Sequence, residues 1–259
     1  MSTSSRSTHP DGLRPRRRHW AAGIAAALAL TLTVIWSGAG RDPGSELRVA
    51  ATGDTLSASL VDGDHVIHFA NAERPADARA ALGVLARPWE RQPGVVIAGA
   101  SERIANGLWE TLQRLSPRQL IVLGAPGDSE QWLTIERYCR DAGIELRYLE
   151  SPTRLELTSL SVTLVPSESE SHAIIANGQM RVALAVGGLP ADGRYHALIG
   201  DGNVPASLSA DLVVTPTGID PPGDGVRTLT VEEGRRVTLV FEAAAIRVRG
   251  GNIAVGRSQ

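Results

Sequence analysis

Between residues 95 and 149 the apolar pattern switches period four times, and that alternation limits the fold more than any other feature of the chain. Residues 95–98, 119–123 and 144–149 are short apolar runs of strand length. Between them, residues 102–115 place Ile104, Leu108, Leu112 and Leu115 at helical spacing, and residues 129–142 read as a second helix closed by Gly143. Strands with helices between them assign this region to the α/β class.

The pattern extends on both sides. Residues 47–51, 55–61 and 65–70 read as strands, the last two joined by the turn Asp62-Gly63-Asp64, and residues 76–85 as an Ala/Leu-rich helix. From Leu155 onward the runs at 155–157, 161–165, 173–176 and 182–186 read as consecutive antiparallel strands, with Asn177-Gly178 a hairpin turn. Strands at 196–199 and 212–214 follow, and the runs at 227–231, 236–241 and 245–248 are predicted to form a last small meander. The whole predicts an α/β sandwich of two mixed sheets.

A different kind of segment precedes it. Residues 1–18 are polar and end in Arg14, Arg16, Arg17 and Arg18, and the run from Trp20 to Ala39 carries no charge. About 20 apolar residues at about 1.5 Å rise match a hydrocarbon core of about 30 Å. The expected organisation is a cytoplasmic tail (1–18), a transmembrane anchor (19–39), a linker (40–46) and an extracytoplasmic domain (47–259), with the arginines on the cytoplasmic side. The alternative is a cleaved signal at Ser37-Gly38-Ala39, which would give a secreted domain.

Charge narrows the function classes. The chain has no lysine, which removes Schiff-base chemistry. Beyond the apolar run stand 21 arginines against 27 acidic residues, a net charge of −6, poorly suited to strong nucleic-acid binding. The single cysteine, Cys139, excludes an internal disulfide and reads as a buried helical thiol.

In element order the chain resembles the metallo-β-lactamase-like C-terminal domain of the ComEC family of competence DNA-uptake proteins. Residues 47–54 stand where that family has its opening "LRVxFLDVGQGD" strand, and residues 66–71 where it has "VLIDGG". Residues 98–108 stand opposite the metal motif "SHPDADHxGGL", residues 180–188 opposite "VRFLLTGD", and residues 210–218 opposite "ADVLKVPHHGS". The resemblance implies a metallo-β-lactamase-like αββα sandwich. It also implies a metal site held by His and Asp, whose bound water is the nucleophile. Carried over residue by residue, the ligand positions fall on Gly99, Ser101, Arg103, Ile104, Gly188 and Thr217, none of which is a metal ligand in that chemistry. A degenerate fold without metal or cofactor is therefore expected. Its role would be binding or scaffolding at the membrane, linked through the resemblance to a membrane-protein partner of a competence system.

Two alternatives remain open on the residues. Glu168, Glu170 and His172 form an acidic loop with one histidine, which could carry a relocated site of a metal-dependent hydrolase. Ser101 reads as a helix N-cap whose neighbouring N–H groups could hold an anion, but no G-x-S-x-G nucleophile elbow is present. His65 and His68, three apart on a strand, face opposite sides and make a poor chelating pair.

Overall fold

The computed structural model describes residues 44–86, 93–167, 170–201, 204–219, 226–242 and 245–250. The tail and the apolar run expected to form the anchor lie outside them. No helix among the described residues is long and apolar enough to cross a membrane.

The first half opens as a meander of β1 (Glu46–Thr52), β2 (Thr55–Asp62) and β3 (His65–Ala70). Its hairpins turn at Gly53 and Gly63, whose φ values of 66° and 61° suit glycine. The chain then alternates: α1 (Pro75–Leu85), β4 (Val95–Gly99), α2 (Ala105–Leu115), β5 (Gln119–Leu123), α3 (Glu130–Ala142) and β6 (Glu145–Leu149). Each of β4, β5 and β6 lies parallel to the strand before it. The helix limits follow local chemistry. Proline occupies the first turn of α1, the Ser129 hydroxyl accepts the Trp132 N–H at the start of α3, and Gly143 ends α3 with φ 70°.

The second half repeats this strand path without repeating its sequence. After β7 (Thr153–Glu156), the strands β8 (Ser161–Val165), β9 (His172–Asn177) and β10 (Met180–Ala185) form an antiparallel meander. Then β11 (Gly193–Ile199), β12 (Leu208–Pro216) and β13 (Arg227–Val231) add on in parallel. Finally β14 (Arg236–Phe241) and β15 (Ile246–Arg249) return to the first sheet beside β1. Sheet A thus runs β15-β14-β1-β2-β3-β4-β5-β6, and sheet B runs β13-β12-β11-β10-β9-β8-β7.

Two expectations need correction. The tail is not one meander: Leu229 and Val231 of β13 face the core from sheet B, and the chain crosses to sheet A through a turn at Gly234, φ 73°. The αββα sandwich is also incomplete among the described residues, where all three α-helices belong to the first half. The connectors joining the parallel strands of sheet B, 186–192, 200–207 and 217–226, are each no longer than ten residues.

Between the sheets lies the main core. Leu47, Leu56, Leu60, Phe69, Ile97 and Leu123 from sheet A meet Val162, Leu164, Ile175, Val182, Leu184 and Val214 from sheet B, all essentially inaccessible. Full burial of each such side chain contributes about 1.5–3 kcal/mol. On the other face of sheet A, α2 and α3 press Leu108, Leu112, Trp132 and Ile135 onto Val96, Leu120 and Val122. Under α1 the floor is different. Thr238, Arg48, Ser59 and His68 stand side by side across β14, β1, β2 and β3, all buried. Arg48 pairs with Glu46 and donates to the Leu85 carbonyl at 3.2 Å, while Arg236 donates to the Val84 carbonyl at 3.2 Å. Two cations thus meet the carbonyl end of the α1 dipole.

Candidate functional site: a cleft at the strand ends

Parallel pairing carries the C-terminal ends of β3–β6 and of β10–β13 to one end of the sandwich, the usual place for a site in such sheets. At Gly99 the chain leaves β4 through a single 3-10 turn, Glu102–Ile104, that runs straight into α2. The Ser101 hydroxyl accepts the Arg103 N–H at 3.3 Å, the capping role expected of it. Ile104 turns inward to the helix-side core and is 5% exposed. Arg103 turns outward, 78% exposed, and pairs with Glu73 at 2.8 Å.

The second half approaches this corner with backbone. Ser171, buried ahead of β9, is the junction: its carbonyl accepts the N–H groups of Val186 at 3.0 Å and Gly188 at 3.3 Å. Its hydroxyl accepts the Ser167 N–H at 3.0 Å and donates to the Ser167 carbonyl at 2.8 Å, with the Leu123 carbonyl at 3.3 Å. The glycines record how close the approach is. A Cβ on Gly99 would lie 2.5 Å from the Val186 carbonyl oxygen, and one on Gly188 would lie 2.8 Å from the Glu170 Cα. Neither position has room for any side chain, let alone an imidazole or carboxylate, without moving backbone.

Above this contact an open cleft of about 720 Å³ remains, lined by Ser101, Arg103, Gly124, Glu150, Ser167 and Ser171 among others. It offers hydroxyls, peptide groups, one guanidinium and one carboxylate. A borderline or hard dication needs several imidazoles or carboxylates converging on one point. Among the described residues no group of three or more His, Cys, Asp or Glu side chains is so placed. The described residues lining the cleft therefore do not fit the metal implied by the resemblance.

Of the sequence-selected positions, Gly99, Ser101 and Arg103 line the cleft and Gly188 adjoins it through Ser171 and Glu170. Ile104 does not face it. Thr217 instead closes β12 onto β13, its backbone N–H and its hydroxyl each reaching the Val231 carbonyl at 3.2 Å. Of the alternative acidic cluster, Glu168 lies outside the described residues, and the exposed Glu170 presents its backbone carbonyl, 2.9 Å from Nδ1 of His172. His172 shares the outer face of sheet B with Ile174, whereas its neighbour Ser171 looks toward the cleft. Ser171 and Glu150 were missed, and no local signal marks them. Their role comes from contacts with strands far away in sequence.

Three titratable groups away from the cleft are shifted, two by burial and one by hydrogen bonds. The Cys139 thiol sits under α3, and burial, helped by the Glu136 charge, pushes it up to about 11, which makes it inert. His68 is pushed down to about 4 by burial and keeps one contact, Nδ1 to the Ser59 hydroxyl at 3.0 Å. Burial alone would raise the Asp62 carboxyl. Hydrogen bonds from Ser45, Ser159 and the Leu160 N–H outweigh it and hold the group below its usual range.

No family model matches the chain, and no curated protein does. Solved structures with a similar course of the chain include Zn²⁺-bound PqqB from Methylobacterium extorquens, 14% identical over 64% of this chain and 71% of that one, with a TM-score of 0.40. The metallo-β-lactamase fold protein YhfI from Bacillus subtilis is 16% identical over 66% of this chain and 71% of that one, with a TM-score of 0.39.

Proposed function

We propose that this chain is a noncatalytic metallo-β-lactamase-like domain, held outside the cytoplasmic membrane by its N-terminal apolar run, that works as a binding or scaffold element. The observation that carries the noncatalytic part is the backbone closure at Gly99 and Gly188. The two halves touch where the ligand-bearing side chains of a metal hydrolase would have to enter. A catalytic site degraded by drift alone would keep room for the lost side chains. Here a side chain at either glycine would run into backbone, and Arg103 adds a cation at the rim.

The anchored topology rests on the uncharged run and its flanking arginines, and the link to a competence-type membrane partner rests on element order alone. The net charge of −6 outside the membrane favours a protein partner over DNA.

Metal analysis tests the reading. Purified full chain incubated with zinc or manganese and then desalted should retain far less than one equivalent, and chelator should leave its melting temperature unchanged. Stoichiometric metal, with melting lowered by chelator, would overturn the noncatalytic reading in favour of a rebuilt hydrolase site. Membrane extraction tests the anchor separately: the chain should stay with membranes through carbonate washing and be released by detergent, whereas release by carbonate would point to the cleaved, secreted form.

A further inference from the structure

The edge of β6, unpaired among the described residues, carries a second reading, independent of what the cleft does. It is the last strand of sheet A. The Glu145 N–H bonds to the Arg118 carbonyl and the Leu149 carbonyl accepts the Gly124 N–H, so the odd-numbered residues face into the sheet. The peptide groups of Leu146 and Tyr148 therefore point away from β5, along the open edge. Beside that edge stand Tyr148 and Leu133, the two large hydrophobic side chains exposed among the described residues, at 37% and 51%. They belong to one patch: the Tyr148 hydroxyl donates to Glu136 at 2.6 Å, and Leu133 lies one helical turn before Glu136 on α3.

Charges on an edge strand usually keep other strands away, and the opposite edge of sheet A does so. There β15 carries Arg247 and Arg249, so a second β15 meeting it antiparallel would set arginine against arginine. On β6 the two charges have opposite sign, Glu145 and Arg147, on one face of the strand. A strand built this way is complementary to itself. With Leu146 opposite Leu146, each Glu145 faces an Arg147 and the two Leu146 peptides exchange N–H···O=C bonds. The neighbouring edge strand of sheet B, β7, repeats the alternation with Arg154 and Glu156.

We propose that this chain pairs with a second copy of itself through β6. The two A sheets join antiparallel about a two-fold axis at Leu146, with the α3 helices and their Leu133 and Tyr148 side chains flanking the seam. The interface is isologous, the form a closed dimer requires.

Light scattering of the full chain in mild detergent should give a dimer in the micromolar range. Glu145→Arg should weaken it by about tenfold or more, since it sets arginine against arginine twice, and adding Arg147→Glu should restore it. Both side chains are more than half exposed, so these variants should keep the fold. Cysteine pairing reads the register directly. The double variant Glu145→Cys/Arg147→Cys should form a covalent dimer on mild oxidation, because non-hydrogen-bonded antiparallel neighbours lie within disulfide reach. Either single variant alone should not, while a mixture of the two singles should. A monomeric wild type, a dimer indifferent to Glu145→Arg, or single cysteines that cross-link as well as the pair would each overturn the proposal.

Discussion

The two halves follow the same route, three antiparallel strands and then three added in parallel, yet they solve the burial problem differently. In the first half the connectors are long enough to wind α1, α2 and α3 over the outer face of sheet A. In the second they are at most ten residues long, no α-helix stands among their described residues, and side chains such as Leu189 from one connector and Val204 from another pack on the outer face of sheet B. The inner faces hardly differ: both are rows of aliphatic side chains at or near zero exposure. What distinguishes a helix-backed sheet from a loop-backed one here is connector length, not strand chemistry.

The sharpest way to break this comparison is to cut the same side chain from both covers. Leu112, fully buried on α2, is wedged between a helix and sheet A, and Leu112→Ala should cost about 4 kcal/mol because a helix cannot sink into the hole. Leu189, 5% exposed on the 186–192 connector, should cost about 1–2 kcal/mol as Leu189→Ala, since an extended loop can settle. Urea unfolding of the two variants checks the ratio. Equal losses would mean the loop cover is as rigid as the helical one.

A second test probes where the halves meet. At Gly99 the obstacle to a Cβ is a carbonyl oxygen of the main chain, at 2.5 Å, so Gly99→Ala should cost about 3 kcal/mol. At Gly188 the obstacle is the exposed loop residue Glu170, and Gly188→Ala should cost about 1 kcal/mol, read in the same unfolding assay. A neutral Gly99→Ala would show that the Gly99–Val186 backbone contact yields easily to a side chain.

These contacts also show what the sequence could and could not reveal. Strand and helix positions were legible because periodicity is local. The packing that forces glycine at 99 was not: it depends on Val186, brought close only by the folding of sheet B onto sheet A. Nor was the split of the tail, because Leu229 and Val231 look the same whether β13 joins one sheet or the other.

The buried polar row Thr238, Arg48, Ser59 and His68 across sheet A gives a pH test of its own. His68 is held near 4 when folded against about 6.5 when unfolded, so between those values the unfolded chain binds the extra proton. Its contribution to stability is complete above pH 6.5 and is lost as pH falls toward 4, by about 3 kcal/mol in all. Chemical denaturation across that range should show the slope, and His68→Gln should flatten it. Asp62 acts in the same direction at lower pH, its contribution being lost as pH falls through its depressed value. A slope that survives His68→Gln would assign the effect to other groups.

A small, local effect is expected at Ser171, and it bears on whether the halves are held together at the cleft by one side chain or by backbone alone. The hydroxyl is buried and bridges the Ser167 peptide groups to the end of β5 at the Leu123 carbonyl, whereas the links from Ser171 to Val186 and Gly188 use its carbonyl. Ser171→Ala removes only the first set, leaving the Ser167 N–H without that partner, and should cost about 1–2 kcal/mol. The loss should be local. Amide exchange should speed up at Ser167, while the Val186 and Gly188 amides, still bonded to the residue 171 carbonyl, keep their protection. Loss of protection at all three would mean the hydroxyl organises the whole corner, and that the backbone closure at Gly99 follows from a side chain that sequence reading passed over.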